Sequence, residues 1–168
     1  MSALPAPAPD DSVRIRPLGP PDAPLLDAVL DGMTPASRYA RFHGPKPRLT
    51  SADRRFLAGT DGRDHLALVA LDAAGEPIAI ARSVRLQDRP RVAEIAAEVV
   101  DSRQRQGIST RLLTRLARQA AAVGIERFSA CVLSSNPLAA TLRRHGWRAV
   151  ATDGLTVTLE IDVWRLAR

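Results

Sequence analysis

Glu94-Ile95-Ala96-Ala97-Glu98-Val99-Val100, then Gln104-Arg105-Gln106-Gly107-Ile108-Ser109-Thr110, then Arg111 to Val123: this run decides the fold. The first segment reads as a strand, and the last carries apolar residues at helical spacing. Between them lies a turn that bears Gly107. A helix starting there leaves its first amides without intrahelical acceptors, and they face forward together with the positive end of the helix dipole. Such an end binds anions, phosphates above all. Glycine lets a phosphate approach the backbone where a Cβ would collide with it.

Upstream, Val13 to Leu18 predicts a first strand. Asp22 caps a helix to about Gly32 that turns Leu25, Leu26, Val29 and Leu30 inward. Thr34-Pro35 starts a second helix through Phe42, with proline at its first position, and Gly44-Pro45-Lys46-Pro47 ends it. Thr50 or Ser51 starts a third, through about Ala58. His65–Leu71 and Pro77–Leu86 form a hairpin across Asp72–Glu76, and Asp88-Arg89-Pro90 turns the chain into the strand Val92–Val100.

Downstream, a helix from about Ser109 to Val123 closes at Gly124. A strand to Leu133, the loop Ser134-Ser135-Asn136-Pro137 and a short helix to His145 follow. Two strands, Trp147–Thr152 and Leu155–Val163, are joined by Asp153-Gly154. The order β-αα-α-βββ-α-β-α-ββ predicts an α/β fold, one mixed sheet with helices on both faces. Residues 1–12, with Pro5, Pro7 and Pro9 among alanines, read as a disordered arm, and residues 13–168 as a single domain.

The length of 168 residues suffices for one domain with a proper core. No apolar run is long enough to cross a bilayer, and the N-terminus has no signal-peptide pattern, so a cytoplasmic protein is expected. Cys131 is the only cysteine and sits in an apolar strand pattern, which excludes an internal disulfide and predicts a buried structural thiol. The net charge is +6, and Lys46 is the only lysine among 24 basic residues. A basic balance suits an anionic cofactor or nucleic acid. No nucleic-acid-binding signature is visible, and aromatics are too few for a stacking platform, so nucleic acid is not an expected partner. His43 and His65 stand apart in sequence, and no metal site is expected.

The Gly107 turn resembles the acetyl-CoA-binding motif of the GNAT N-acetyltransferase family, Arg/Gln-x-x-Gly-x-Gly/Ala. Gln104, Gly107 and Ser109 stand at the marked positions, with Ser109 replacing Gly or Ala. The loop Asn136, the helix after it and His145-Gly146-Trp147 match the way GNAT domains end. Ser37-Arg38-Tyr39-Ala40-Arg41-Phe42 and the Ala93-Glu94 strand opening look like the branch that contains bacterial protein-lysine acetyltransferases. The resemblance covers about residues 13 to 164. It implies a GNAT-type, mostly antiparallel central sheet and acetyl-CoA as cosubstrate.

Acetyl transfer to an amine needs a base, stabilisation of the acyl oxygen and a thiolate able to leave. The resemblance puts the base at Glu94, counted back from Gly107, with Glu98 as its rival, on the same strand face only if no bulge intervenes. Val92, Ile95 and Ala96 around Glu94 predict an enclosed carboxyl with a raised pKa. Pairing of Glu94 with Arg82 or Arg91 is the structural alternative. The resemblance also implies a bulge and a splayed strand, which would free the main chain of Ala97, Glu98 and Val99 for the pantetheine arm. Gln104, Arg105, Gln106, Gly107, Ser109 and Thr110 would hold the pyrophosphate, and Asn136 would bond the pantetheine or cap a helix. The family's helix tyrosine would fall near Leu142 or Arg143, and none is there, which leaves water or His145 as acid. Thr34–Lys46, with Arg38, Tyr39 and Arg41, and the connection Arg85–Arg91 are left to line the acceptor side. The expected partners are acetyl-CoA and an amine, a protein lysine or a small molecule, for a monomer or homodimer with no membrane partner. A non-catalytic acyl-CoA sensor and a small basic nucleic-acid-binding protein are the alternatives.

Overall fold

The computed structural model describes residues 12–168, so the proline-rich arm lies, apart from Ser12, outside the described residues. Seven strands form one sheet in the order β1-β2-β3-β4-β5-β7-β6. They are β1 (Arg14–Pro17), β2 (His65–Leu71), β3 (Pro77–Arg85), β4 (Val92–Val99), β5 (Arg127–Leu133), β6 (Arg148–Asp153) and β7 (Thr156–Asp162). Every pairing is antiparallel except that of β4 with β5. This is the mixed, mostly antiparallel α/β sheet expected from the sequence.

The helices are α1 (Ala23–Asp31), α2 (Pro35–Phe42), α3 (Ser51–Ala58), α4 (Ile108–Ala122), α5 (Leu138–Arg144) and α6 (Val163–Leu166). The starts of α2 and α3 follow the caps read from sequence, whereas Asp22 precedes α1 without capping it, because Arg16 and the Gly19 N–H take its carboxylate. The Thr34 hydroxyl accepts from Ser37 N–H ahead of Pro35, and Thr50 forms a reciprocal capping box with Asp53. β2 is buried at all seven positions and β3 at its first seven, which requires cover on both faces. Leu26, Val29 and Leu30 of α1 and Leu57 of α3 supply one layer; Ile108, Leu112, Leu116 and Ala120 of α4 supply the other. The element order agrees with the expected one, with α6 added. That single turn packs on α4, where Arg118 Nε donates to the Ala167 carbonyl at 2.9 Å. Its sequence continues the apolar alternation of β7, so periodicity alone reads it as strand.

β4 is the strand that matters most for function. Its register with β3 is unbroken from Val99 opposite Ala79 to Ala93 opposite Arg85, so the expected bulge at Glu98 is absent from this pairing. The irregularities fall instead in β2 at Ala70/Leu71 and in β6 at Ala149/Ala151. The expected splay is present: β4 pairs with β5 only from Val92 to Glu94, opposite Arg127 to Ser129.

Candidate active site

The splay leaves one edge of β4 open. Leu86 N–H donates to the Val92 carbonyl and Val100 N–H to that of Ile78, so even-numbered β4 residues bond β3. By strand alternation Ile95, Ala97 and Val99 turn their N–H and C=O groups into the gap toward β5. Ala97 and Val99 are thus placed as expected for binding an extended chain, whereas the main chain of Glu98 is committed to β3. Val99 is already in partial use, since its carbonyl accepts from Gln104 Nε2 at 3.2 Å.

The gap ends at the Gly107 turn. Gly107 caps α4 with φ 76°, a left-handed conformation that suits glycine, and no side chain caps this helix. The first helical rung is Arg111 N–H to the Gly107 carbonyl, 3.1 Å, so the amides from Gly107 to Thr110 have no acceptor within the helix. A Cβ built on Gly107 meets nothing within 4 Å, so the space before these amides is open. Arg105 is also left-handed, φ 61°, and is exposed beside Gln106. Asp101 anchors the start of the turn, accepting from Thr34 N–H at 3.1 Å and from the Thr34 and Ser37 hydroxyls at 3.0 Å each.

Glu94 and Glu98 share a strand face but not an environment. Glu94 lies in the last row where β4 and β5 still pair, at the vertex of the splay. Its side chain is exposed and has no hydrogen-bond or ion-pair partner among the described residues. The apolar enclosure expected around it is therefore missing, because Ile95 points to the other face and the Glu94 end of the row is exposed. The suggested pairings are also absent: Arg91 pairs with Glu126, and Arg82 with Glu98.

Glu98 is buried, 7% exposed. Arg41 Nε reaches one oxygen at 2.9 Å and Arg82 Nη2 the other at 3.4 Å. Burial pushes the Glu98 pKa up, but the charges of Arg41 and Arg82 outweigh it, and the net shift is downward. A carboxylate so held is a structural anion. It joins α2 to the sheet beside Phe42, over whose ring the Arg41 guanidinium also lies at 4.7 Å.

Two tests follow for this pair. Glu98→Ala leaves Arg82 buried without its counter-charge and should cost about 3–5 kcal/mol of unfolding free energy, read by urea denaturation. Since the Glu98 pKa is depressed on folding, its contribution to stability is present above the unfolded carboxyl pKa and lost as pH falls through the folded one. Arg41→Ala removes part of that depression, so acid unfolding followed by circular dichroism should begin at higher pH than in the parent. An unmoved acid midpoint would show that the Arg41 contact is energetically idle.

Other expected residues are distributed as follows. Asn136 Oδ1 accepts from Leu138 N–H at 3.0 Å, the capping arrangement, and its Nδ2 remains a donor. His145 Nδ1 lies 2.8 Å from the Thr141 carbonyl of its own helix, which fits a helix-end role rather than an acid in the cleft. Cys131 is half-buried rather than buried, because β5 loses its neighbour beyond Ser129. Arg38 stitches the Pro45–Pro47 loop, donating to the carbonyls of Met33, Pro47 and Lys46 at 3.0, 2.9 and 3.4 Å. Tyr39 is 47% exposed. No group of His, Cys, Asp and Glu among the described residues is arranged to hold a metal, and no helix among them is long and apolar enough to cross a membrane.

Beside Glu94, on the β3 side, opens a cavity of about 630 Å³. The β3–β4 connection walls it with Arg85, Leu86 and Pro90, and the opposite wall is the end of α3, Arg55 and Phe56. Its floor includes Val84, the cross-strand neighbour of Glu94. Sequence reasoning missed α3 here. The signal available was Arg55-Phe56 at the end of a helix, followed by the Gly59-Thr60-Asp61-Gly62 turn.

An open sheet edge, a helix start with no side-chain cap at its end and an unpaired carboxylate at its vertex come together here. Residues 29–147 match the family described as Acetyltransferase (GNAT) family. The chain is 34% identical over 154 residues to the acetyltransferase Pat of Mycolicibacterium smegmatis, covering 89% of this chain and 45% of that protein. It therefore spans less than half of that relative's length. Among solved structures it is similar to the GNAT domain of S. lividans PAT, with 31% identity, a TM-score of 0.83, and 89% and 90% of the two chains covered. It is also similar to a cAMP-binding acyltransferase from Mycobacterium smegmatis, with 31% identity and a TM-score of 0.60 over 90% of this chain and 43% of that one. The chain belongs to the GNAT acetyltransferase family.

Proposed function

We propose that this protein transfers an acetyl group from acetyl-CoA to the side-chain amine of a protein lysine, by direct attack in a ternary complex. The observation that carries the reading is the vertex of the splay, where Glu94 stands unpaired at an open strand edge and its cross-strand neighbour Val84 lines an open cavity. The amides from Gly107 to Thr110 hold the pyrophosphate, with Arg105 and Gln106 beside them. Ala97 and Val99 bond the pantetheine arm through the main chain, and Asn136 Nδ2 donates to it from the other side. The thioester carbonyl then lies at the vertex.

Glu94 takes a proton from the incoming ammonium, directly or through water, and the neutral amine adds to the carbonyl carbon. Collapse of the tetrahedral intermediate breaks the C–S bond, and the CoA thiolate leaves. The nitrogen gives up its second proton, which water relays to that thiolate, since no tyrosine lies on α5 and the His145 ring is bonded to its own helix. Lysine is favoured as acceptor by the resemblance of Ser37–Phe42 and Ala93-Glu94 to the branch that contains protein-lysine acetyltransferases. Dependence on acetyl-CoA fits a cytoplasmic enzyme. A thiol-release assay over lysine peptides and small amines tests the reading, with acetyl-CoA binding measured by calorimetry. Turnover on lysine peptides is expected. Tight binding without turnover on any amine would instead indicate a cofactor sensor.

A further inference from the structure

The floor of the 630 Å³ cavity holds a histidine that the reaction above does not use. His65 opens β2, and the registers place His65, Val84 and Glu94 side by side in one row across β2, β3 and β4. Cross-strand partners share a sheet face, so all three side chains stand on the α1–α3 side. His65 is 7% exposed, and its Nε2 is buried with no hydrogen-bond partner among the described residues. Phe56, itself 58% exposed, lies tilted against the ring with centroids 5.4 Å apart. A buried polar atom left unpaired is costly, and native structures keep few of them.

The chemistry of that nitrogen is defined. Burial pushes the imidazole pKa down, and the charge of Arg82 pushes it further, against weaker opposing effects of Asp61 and the Gly59 main chain. The ring is neutral near pH 7. On a neutral ring the unpartnered Nε2 can serve as an acceptor. What can satisfy it is a ligand N–H or O–H.

We propose that this cavity receives the acceptor lysine and that His65 is its positioning residue, accepting a hydrogen bond from the main-chain N–H of that lysine. The proposal rests on the acetyltransferase reading above. His65 and Glu94 are two strand spacings apart, about 10 Å. A lysine side chain with a hydrogen bond at each end spans that interval. Its methylenes lie on Val84 between Phe56 and Leu86, its ammonium reaches Glu94, and its backbone amide reaches His65. Phe56 must swing off the ring to admit the amide, which its exposure permits. The cavity wall is held in place for this by Arg85, which donates to Asp64 at 2.7 Å, to the Val123 carbonyl at 2.7 Å and to the Pro90 carbonyl.

The test uses two acceptors, α-N-acetyl-lysine amide and pentylamine, which lacks the distal N–H. In His65→Leu the KM for the lysine amide should rise about 5- to 20-fold, the worth of one hydrogen bond. Its kcat, the acetyl-CoA affinity and the constants for pentylamine should stay as in the parent. His65→Asn, which keeps an acceptor, should recover part of the loss. Val84→Trp, which fills the floor, should raise the KM for both amines. In parallel, the imidazole ¹⁵N signals of His65 are followed while α-N-acetyl-lysine amide is added to the protein with CoA, and Nε2 should move as it gains a donor. An unchanged lysine KM in His65→Leu with a still ring signal overturns the assignment. If the parent protein turns over neither amine, the catalytic reading falls, and the ring signal alone then decides the pocket: movement upholds it and stillness overturns it.

Discussion

Gly107→Glu should abolish acetyl-CoA binding while the protein stays folded. The expectation rests on two separate features of the turn. The residue has φ 76°, so any side chain there carries a backbone penalty of about 1–2 kcal/mol. That cost alone is tolerable for a domain of this size. The second feature is the open space before the amides, where a built Cβ meets nothing of the protein within 4 Å. A glutamate side chain enters that space freely and places a negative charge where the pyrophosphate must lie. Like charges so placed cost several kcal/mol, a loss of roughly 100-fold or more in affinity. Gly107→Ala separates the contributions, because it carries the backbone cost and a small steric one without the charge. Calorimetry with acetyl-CoA should rank parent above alanine above glutamate, with circular dichroism unchanged. A folded glutamate variant with parental affinity would move the cofactor away from this turn.

Much of this site is legible in the sequence, and the reasons differ from residue to residue. Gly107 announces itself because only a special backbone needs glycine between a strand and a helix. Thr34-Pro35 and Thr50 announce helix starts because caps are local chemistry, complete within four residues. The two glutamates of β4 are harder. Period-two alternation puts both on one face, and that is correct, yet it cannot say which one the helices cover. The cover comes from α2, some fifty residues upstream, whose Arg41 reaches Glu98 and passes by Glu94. Burial of a charge depends on long-range packing, and a single strand carries no record of it. The same holds for Arg82, which alternation places on the sheet but which only α3, through the Leu57 carbonyl at 2.6 Å, shows to be interior. The place of Thr34–Lys46 is hidden from the sequence for the same reason, since its side chains face packing partners rather than the cavity beside Val84. The segment richest in large polar groups, Thr34–Lys46, spends them on its own stability: Arg38 on loop carbonyls, and Arg41 on Glu98. The two glutamates thus divide what the sequence leaves joined, Glu98 holding the fold and Glu94 standing free.

Glu94→Gln should therefore lower kcat by roughly 10²–10⁴, the usual worth of a positioned base, with acetyl-CoA affinity and stability near parental values. The amide keeps the size and loses the proton acceptor. No neighbour depends on the charge, since the Glu94 carboxylate has no ion pair or hydrogen bond among the described residues. A catalytic group without structural commitments should give a clean kinetic phenotype, and Glu98→Gln offers the contrast. There the charge is shared by Arg41 at 2.9 Å and Arg82 at 3.4 Å, so its loss should appear first in the urea midpoint. The decisive comparison is a pair of kcat measurements with urea curves on the same preparations. If Glu98→Gln lowers kcat by that factor at parental stability while Glu94→Gln leaves kcat unchanged, then Arg41 and Arg82 are there to orient a base, and the roles of the two glutamates are the reverse of those assigned to them.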